Sequence, residues 1–201
     1  MKRKLITLEQ RIPGTWDRLL RKVQAVEPQA FIAGGCLRDL HMQRDVKDID
    51  IFLKWSPGIE DRLEEALDMK MVTEIGEAQA YGASMQDVIG VLNGPNIGKV
   101  PVQLVLLDGG RDWTPVTVIG RFDFGICQIC YDRNRVEVTR DFVTDTTKST
   151  YTLINSETEP RRRRSIRRYM RHTKPGGKYE GFKLVSRVEG YTPEDLIREY
   201  A

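Results

Sequence analysis

The sequence has no apolar run near the ~20 residues that a bilayer-spanning helix requires, which argues against a helical membrane protein. Its Met-Lys-Arg-Lys start passes into Leu5-Ile6-Thr7-Leu8-Glu9-Gln10 without the apolar core of a signal peptide, so a cytoplasmic location is expected. Cysteine is scarce and odd in number, Cys36, Cys127 and Cys130 alone, which argues against a disulfide framework and for reduced thiols. Histidine is scarcer still, with His41 and His172 only. Cys127-Gln128-Ile129-Cys130 has C-x-x-C spacing, but in a β-like run i and i+3 face opposite sides, so these thiols read as small buried residues rather than a zinc or redox pair. His41 reads as a helix-surface residue. What remains is ordinary for one globular core: 201 residues, 40% hydrophobic, 30% charged and 8% aromatic.

The formal charge of +3 conceals an asymmetry. Pro160 to Lys178 holds nine Lys or Arg and no acid, while the rest of the chain holds 23 basic and 29 acidic residues, a net of −6. A basic segment on an acidic body suits a phosphate-bearing partner, and a solvated basic helix is the other reading.

Hydrophobic periodicity places a helix at Thr15 to Val26, ended by Pro28. A short strand, Ala30-Phe31-Ile32-Ala33, stops at Gly34-Gly35, and a helix opens at Cys36 and runs to Met42. Asp48 to Leu53 reads as a strand entering a core from an exposed end, followed by a helix through Ile59, Leu63, Ala66 and Leu67. Val88 to Leu92 and Val100 to Leu107 read as a hairpin. Thr114 to Phe122 is ambiguous. Ile126 to Tyr131 and Arg135 to Phe142 look extended around a turn at Asp132-Arg133-Asn134. Glu157 to Thr173 reads as a basic helix with Ile166, Tyr169, Met170 and Thr173 on its packing side, closed by Pro175-Gly176-Gly177.

Asp48 and Asp50, at i and i+2 of a strand, point to one face and repel each other unless a cation lies between them. Oxygen ligands of this kind suit Mg2+ or Mn2+, which can neutralise a triphosphate during an in-line displacement. Thirteen residues upstream, Gly34-Gly35 at a helix start lets backbone N–H groups approach phosphate, and Arg38 and Arg44 can add charge-assisted contacts.

Gly34-Gly35-Cys36-Leu37-Arg38-Asp39, then Arg44, then Asp48-Ile49-Asp50, resembles the head signature of the tRNA nucleotidyltransferase (CCA-adding enzyme) and poly(A) polymerase family of the polymerase β superfamily. Arg121-Phe122-Asp123-Phe124-Gly125 resembles a second motif of that family, with Phe122 in place of an arginine and Gly125 in place of a threonine. Glu157-Thr158-Glu159-Pro160-Arg161 resembles its base-reading helix, with Thr158 where an aspartate is usual. The resemblance implies an α+β fold, a mixed sheet flanked by helices, with a nucleotidyltransferase domain over 1–150 and a basic helical segment over 151–201. It implies a metal at Asp48 and Asp50, both catalytic, with Gln103 as third ligand. It also implies nucleotide contacts from Gly34, Gly35, Arg38, Asp39, Arg44, Arg121, Asp123, Arg161 and Arg164, and RNA contacts from Arg163, Arg167, Arg168, Arg171 and Lys174.

Family members carry a third carboxylate where this chain has Gln103, an amide that can ligate a metal but cannot serve as a base. Asp108 has the wrong strand parity, and Asp87 and Glu77 are alternative donors. The chain is short beside enzymes that add tRNA-gripping domains, which suggests a compact, phage-encoded or mobile-element version acting in the host cytoplasm. The leading expectation is transfer of NMP from an NTP to a hydroxyl, such as the 3′ end of a tRNA-like RNA. Two other readings stand beside it: a catalytically weak module that binds RNA or nucleotide, and a toxin-like or small-molecule-modifying enzyme.

Overall fold

The computed structural model describes residues 5–73 and 87–201. Glu77, one alternative third carboxylate, lies outside the described residues. The chain runs β1 (Ile6–Leu8), α1 (Gly14–Val26), β2 (Phe31–Ala33), α2 (Gly35–His41), β3 (Ile49–Lys54), α3 (Ile59–Leu67), β4 (Val88–Asn93) and β5 (Val102–Leu107). It continues with α4 (Pro115–Ile119), a 3-10 turn at Gly125–Cys127, β6 (Ile129–Tyr131), β7 (Val136–Val138), α5 (Arg140–Lys148), β8 (Thr150–Leu153), α6 (Glu159–Thr173), β9 (Lys183–Ser186) and α7 (Pro193–Tyr200).

Seven strands form one mixed sheet in the order β1-β7-β6-β2-β3-β5-β4, with β3 and β5 parallel and the other pairings antiparallel. The period of two along β3 divides the core. Ile49, Ile51 and Leu53 pack with Trp16, Leu19, Leu20 and Val23 of α1 and with Ile59, Leu63 and Leu67 of α3. Phe52 turns the other way and joins Phe31, Ala33, Val105, Leu107, Trp113 and the α4 residues Val118 and Ile119. A third cluster surrounds the parallel pair β8-β9, where Tyr151 meets Phe124, Tyr169 and Tyr179 edge-on at 5.2, 5.7 and 5.7 Å.

Several expectations need correction. The ambiguous stretch forms α4, started by reciprocal capping between Thr114 and Thr117. The extended run expected to reach Phe142 ends at Val138, because the Thr139 hydroxyl accepts from the Phe142 N–H at 3.3 Å and starts α5. Met170 is 39% exposed rather than packed, and Arg168 points inward in its stead. His41 is half-buried, its ring 5.3 Å from that of Phe142. The three cysteines are free and buried, with Cys127 and Cys130 in different clusters.

Gly125 has a steric reason. A Cβ there would lie 2.8 Å from both Asp141 Cβ and Asp145 Oδ2, so the threonine usual in the resembling motif does not fit against α5. Asp145 is itself committed, accepting from the hydroxyls of Thr150 and Thr152 at 2.7 and 2.5 Å.

Candidate active site

The antiparallel register of β2 with β3, Phe31 to Phe52 and Ile32 to Ile51, brings the end of β2 beside the start of β3. There Gly34 turns with φ 87° and ψ −138°, a conformation open to glycine, and its N–H donates to Ile129 O at 3.0 Å. A Cβ on Gly34 would sit 3.4 Å from the Phe122 ring, so the turn is also closely covered from one side.

Asp50 is buried on β3 and Asp48 is half-buried just before it, with Lys47 Nζ 3.0 Å from Asp48 Oδ2. The parallel pairing of β3 with β5 sets Gln103 opposite Asp50, and the antiparallel pairing of β4 with β5 sets Asn93 opposite Gln103. A polar row, Asp50, Gln103, Asn93, therefore crosses three strands on the face that Phe52 and Val105 continue as hydrophobic core. Beside it opens a cleft of about 370 Å³ lined by Met69, Asn93, Gly94, Pro95, Asn96, Pro101, Val102 and Gln103. The donor set is all oxygen, two carboxylates and an amide, which suits a hard divalent cation at reduced negative charge. Among the described residues no three His, Cys, Asp or Glu side chains gather as a metal cluster.

Asp87 does not complete the row. It lies at the far end of β4, next to Val88, and is ion-paired there with Arg111 at 2.6 Å and with Arg121. Arg121 also lies over the Trp113 ring at 5.1 Å. Arg44 is exposed beyond α2, its N–H donating to Asp39 O at 2.7 Å.

Arg38 and Asp39 face inward. Arg38 Nε donates to Asp39 Oδ1 at 2.7 Å and to the Tyr179 hydroxyl at 3.0 Å, and its guanidinium lies over the Tyr179 ring at 4.9 Å. Asp39 further accepts from Tyr179 and from Lys178 Nζ, each at 2.7 Å. Burial pushes the Asp39 carboxyl up, but Arg38, Lys178 and Tyr179 outweigh it and hold the group below its ordinary value. These two residues thus tie the glycine helix to a segment some 140 positions away, a task that Tyr179 announced by no motif.

Asp123 is also buried. It accepts from Ser165 Oγ at 2.5 Å and from Arg168, fastening α6 to the strand-connecting segment. Arg161 Nη1 meets Glu157 at 3.0 Å and Nη2 donates to Arg121 O at 2.5 Å. Arg164 is half-buried on the same helix, while Arg163, Arg167, Arg171 and Lys174 are exposed. Asn155 Nδ2 holds the Phe122 loop by donating to Gly120 O and Phe122 O, both at 2.8 Å.

The same tyrosine cluster holds His172, with Nδ1 3.0 Å from the Tyr151 hydroxyl. Burial first, then the charges of Arg38, Arg168 and Arg171, lower its pKa to about 3 from 6.5. Between those values the unfolded chain binds a proton that the folded chain refuses, so stability falls as pH drops from 6.5 toward 3. One proton sets an upper bound of about 1.4 kcal/mol per pH unit, reduced by the ring's remaining solvent contact. In urea melts at pH 7 and pH 4.5, His172→Phe is expected to lose less stability on acidification than the parent chain. An unchanged pH difference would assign the acid sensitivity to other groups.

The architecture is similar to that of the corresponding part of solved CCA-adding enzymes. The Thermotoga maritima CCA-adding enzyme complexed with tRNA superposes with a TM-score of 0.63 at 16% identity, covering 100% of this chain and 46% of that one. A CCA-adding enzyme with ATP gives 0.64 at 16% identity, covering 99% and 45%. The Bacillus stearothermophilus enzyme with CTP gives 0.55 at 18%, covering 86% and 41%. The chain spans less than half the length of these enzymes, and at such identity the likeness establishes the fold. No curated protein matches the sequence. Residues 8–149 match the model of the Gad2 family, Gabija anti-defense 2 family protein, and the chain belongs to that family.

Proposed function

We propose that this chain transfers a nucleoside monophosphate from an NTP to a hydroxyl, with the 3′ end of an RNA such as tRNA as acceptor. The observation that carries the reading is the polar row headed by Asp50, with Asp48 before it and the Gly34-Gly35 turn alongside. Asp48, Asp50 and the Gln103 amide would hold a magnesium or manganese ion, whose charge would offset that of the triphosphate. Gly34 and Gly35 bring backbone close to the phosphates, and Arg44 is exposed to meet them. The acceptor oxygen bonds to the α-phosphorus as the bond to the β-bridging oxygen breaks, releasing pyrophosphate. The hydroxyl proton passes to water, because the Gln103 amide is no base.

Arg38, Asp39 and Asp123 act by positioning in this reading, since each is committed to side chains of the C-terminal segment. Arg121 and Arg161 are engaged by Asp87 and Glu157 and border the same loop. Membership of a family described as Gabija anti-defense supports a phage-related role in the host cytoplasm.

The test is incubation of the chain with each NTP, Mg2+ and total cellular RNA, followed by sequencing of 3′ ends. One base added to one RNA class is the expected result. Failure to extend any RNA while NTP binding persists would support the second reading, a nucleotide-binding module. The neutral Gln103 beside Asp50 favours that reading.

A further inference from the structure

We infer that the outward face of α6 is a docking track for one strand of nucleic acid. Arg163, Arg167, Arg171 and Lys174 follow at steps of four, four and three, which places them in one row on the helix, and all four are exposed. Eleven steps of the helical rise, from Arg163 to Lys174 at the C-cap of α6, make a row about 16 Å long. Arg163 pairs with Glu159 at the end of the row, whereas Arg167, Arg171 and Lys174 have no ion-pair partner among the described residues. Arg168 is outside the track, because Asp123 holds it inward.

Nucleic acid fits this face better than an acidic protein does. A protein interface needs apolar or aromatic anchors at its centre. Along this row the one exposed large hydrophobic residue is Met170. A phosphate backbone asks instead for cations spaced along it and needs no apolar centre. A single row suits a single strand, and at about 3.4 Å per stacked nucleotide it covers about five of them. On its other flank the helix touches Arg121 through Arg161 and Asp123 through Arg168, the loop whose Phe122 ring covers Gly34, so α6 borders the candidate active site; that the strand's end enters it rests on the transfer reading.

The test is fluorescence anisotropy of the full chain with labelled oligoribonucleotides of three, six and twelve bases, without NTP. Affinity should rise from three to six bases and then level off. Four cations on a single strand predict a log–log salt slope of about −3, which is roughly 50-fold weaker binding between 50 and 200 mM salt. The triple variant Arg167→Gln, Arg171→Gln and Lys174→Gln should fold normally, since the three side chains are exposed, and its slope should shrink by about 2. An unchanged slope in that variant overturns the track, as does equal competition by poly-glutamate or tighter binding to a duplex of the same length. The Asp48→Asn, Asp50→Asn chain should keep the steep slope while losing transfer; absence of transfer by the parent chain with its slope intact counts against the transfer reading alone.

Discussion

Asp50→Asn is expected to lower NMP transfer by roughly 10³-fold with no comparable loss of stability. The side chain is buried at the head of the polar row, and asparagine keeps its shape while removing one of two negative charges. With Gln103 already neutral, the site would then hold Asp48 as its sole formal charge, too little to bind a divalent ion against water. Asp48→Asn should have a smaller effect, because Asp48 is half-buried and shares its charge with Lys47. Labelled-NTP incorporation measures the activity, and urea melts verify the fold. Transfer within tenfold of the parent in folded Asp50→Asn would rule out the row as the reaction centre.

Asp39→Ala is expected to destabilise the chain by about 3–5 kcal/mol, the range for removing one partner of a buried ion pair. The substitution strands the Arg38 guanidinium in the interior, leaves the Tyr179 hydroxyl without its acceptor, and leaves the Lys178 ammonium with the Asp45 carbonyl but no counter-charge. The loss should be uneven, since this carboxylate anchors Lys178 and Tyr179 to α2, and limited proteolysis should cut the chain beyond Lys174 first. A double change, Arg38→Met with Asp39→Leu, should recover much of the stability, because it removes both charges rather than one. If the double variant is no better than the single, the tether is not electrostatic and the Tyr179 packing carries it. Acid should act in the same direction as the alanine. The Asp39 pKa is depressed, so its contribution is complete above the unfolded value of 3.8 and is lost as pH falls through the lower folded value.

Much of the fold could be read along the chain. The glycine pair, the helix after it and the D-x-D strand are local patterns, set by the freedom of glycine at positive φ and by the period of two in a strand. The helices at Gly14–Val26 and Ile59–Leu67 followed from apolar spacing. Where pattern reading fell short, a short polar group intervened. Thr139 turned an apparently extended run into the start of α5, and Thr114 started α4 in a stretch whose pattern was ambiguous.

The candidate site was legible as a list of residues but not as a set of partners. The pattern placed Arg38, Asp123 and Arg168 with nucleotide or RNA, because positive and negative side chains near a phosphate-binding turn read as exposed. In the folded chain they meet Tyr179, Ser165 and each other across 42 to 141 residues of sequence. No local signal foretells such pairs, since they form only when β8, β9 and α6 close over the glycine helix. The basic run, by contrast, kept one face in solvent because it has more arginines than nearby acids can pair.

By itself, then, the sequence determined the turn at Gly34, Asp50 at the head of a strand with Asp48 just before it, and the surplus of positive charge on one helix. Each depends on residues within a few positions of one another and on backbone geometry alone. The tertiary structure decided the rest: that Gln103 stands beside Asp50, that Asp87 is spent at the wrong end of its strand, and which arginines are consumed indoors. Those outcomes depend on strand order and register, and so on the packing of distant segments against one another.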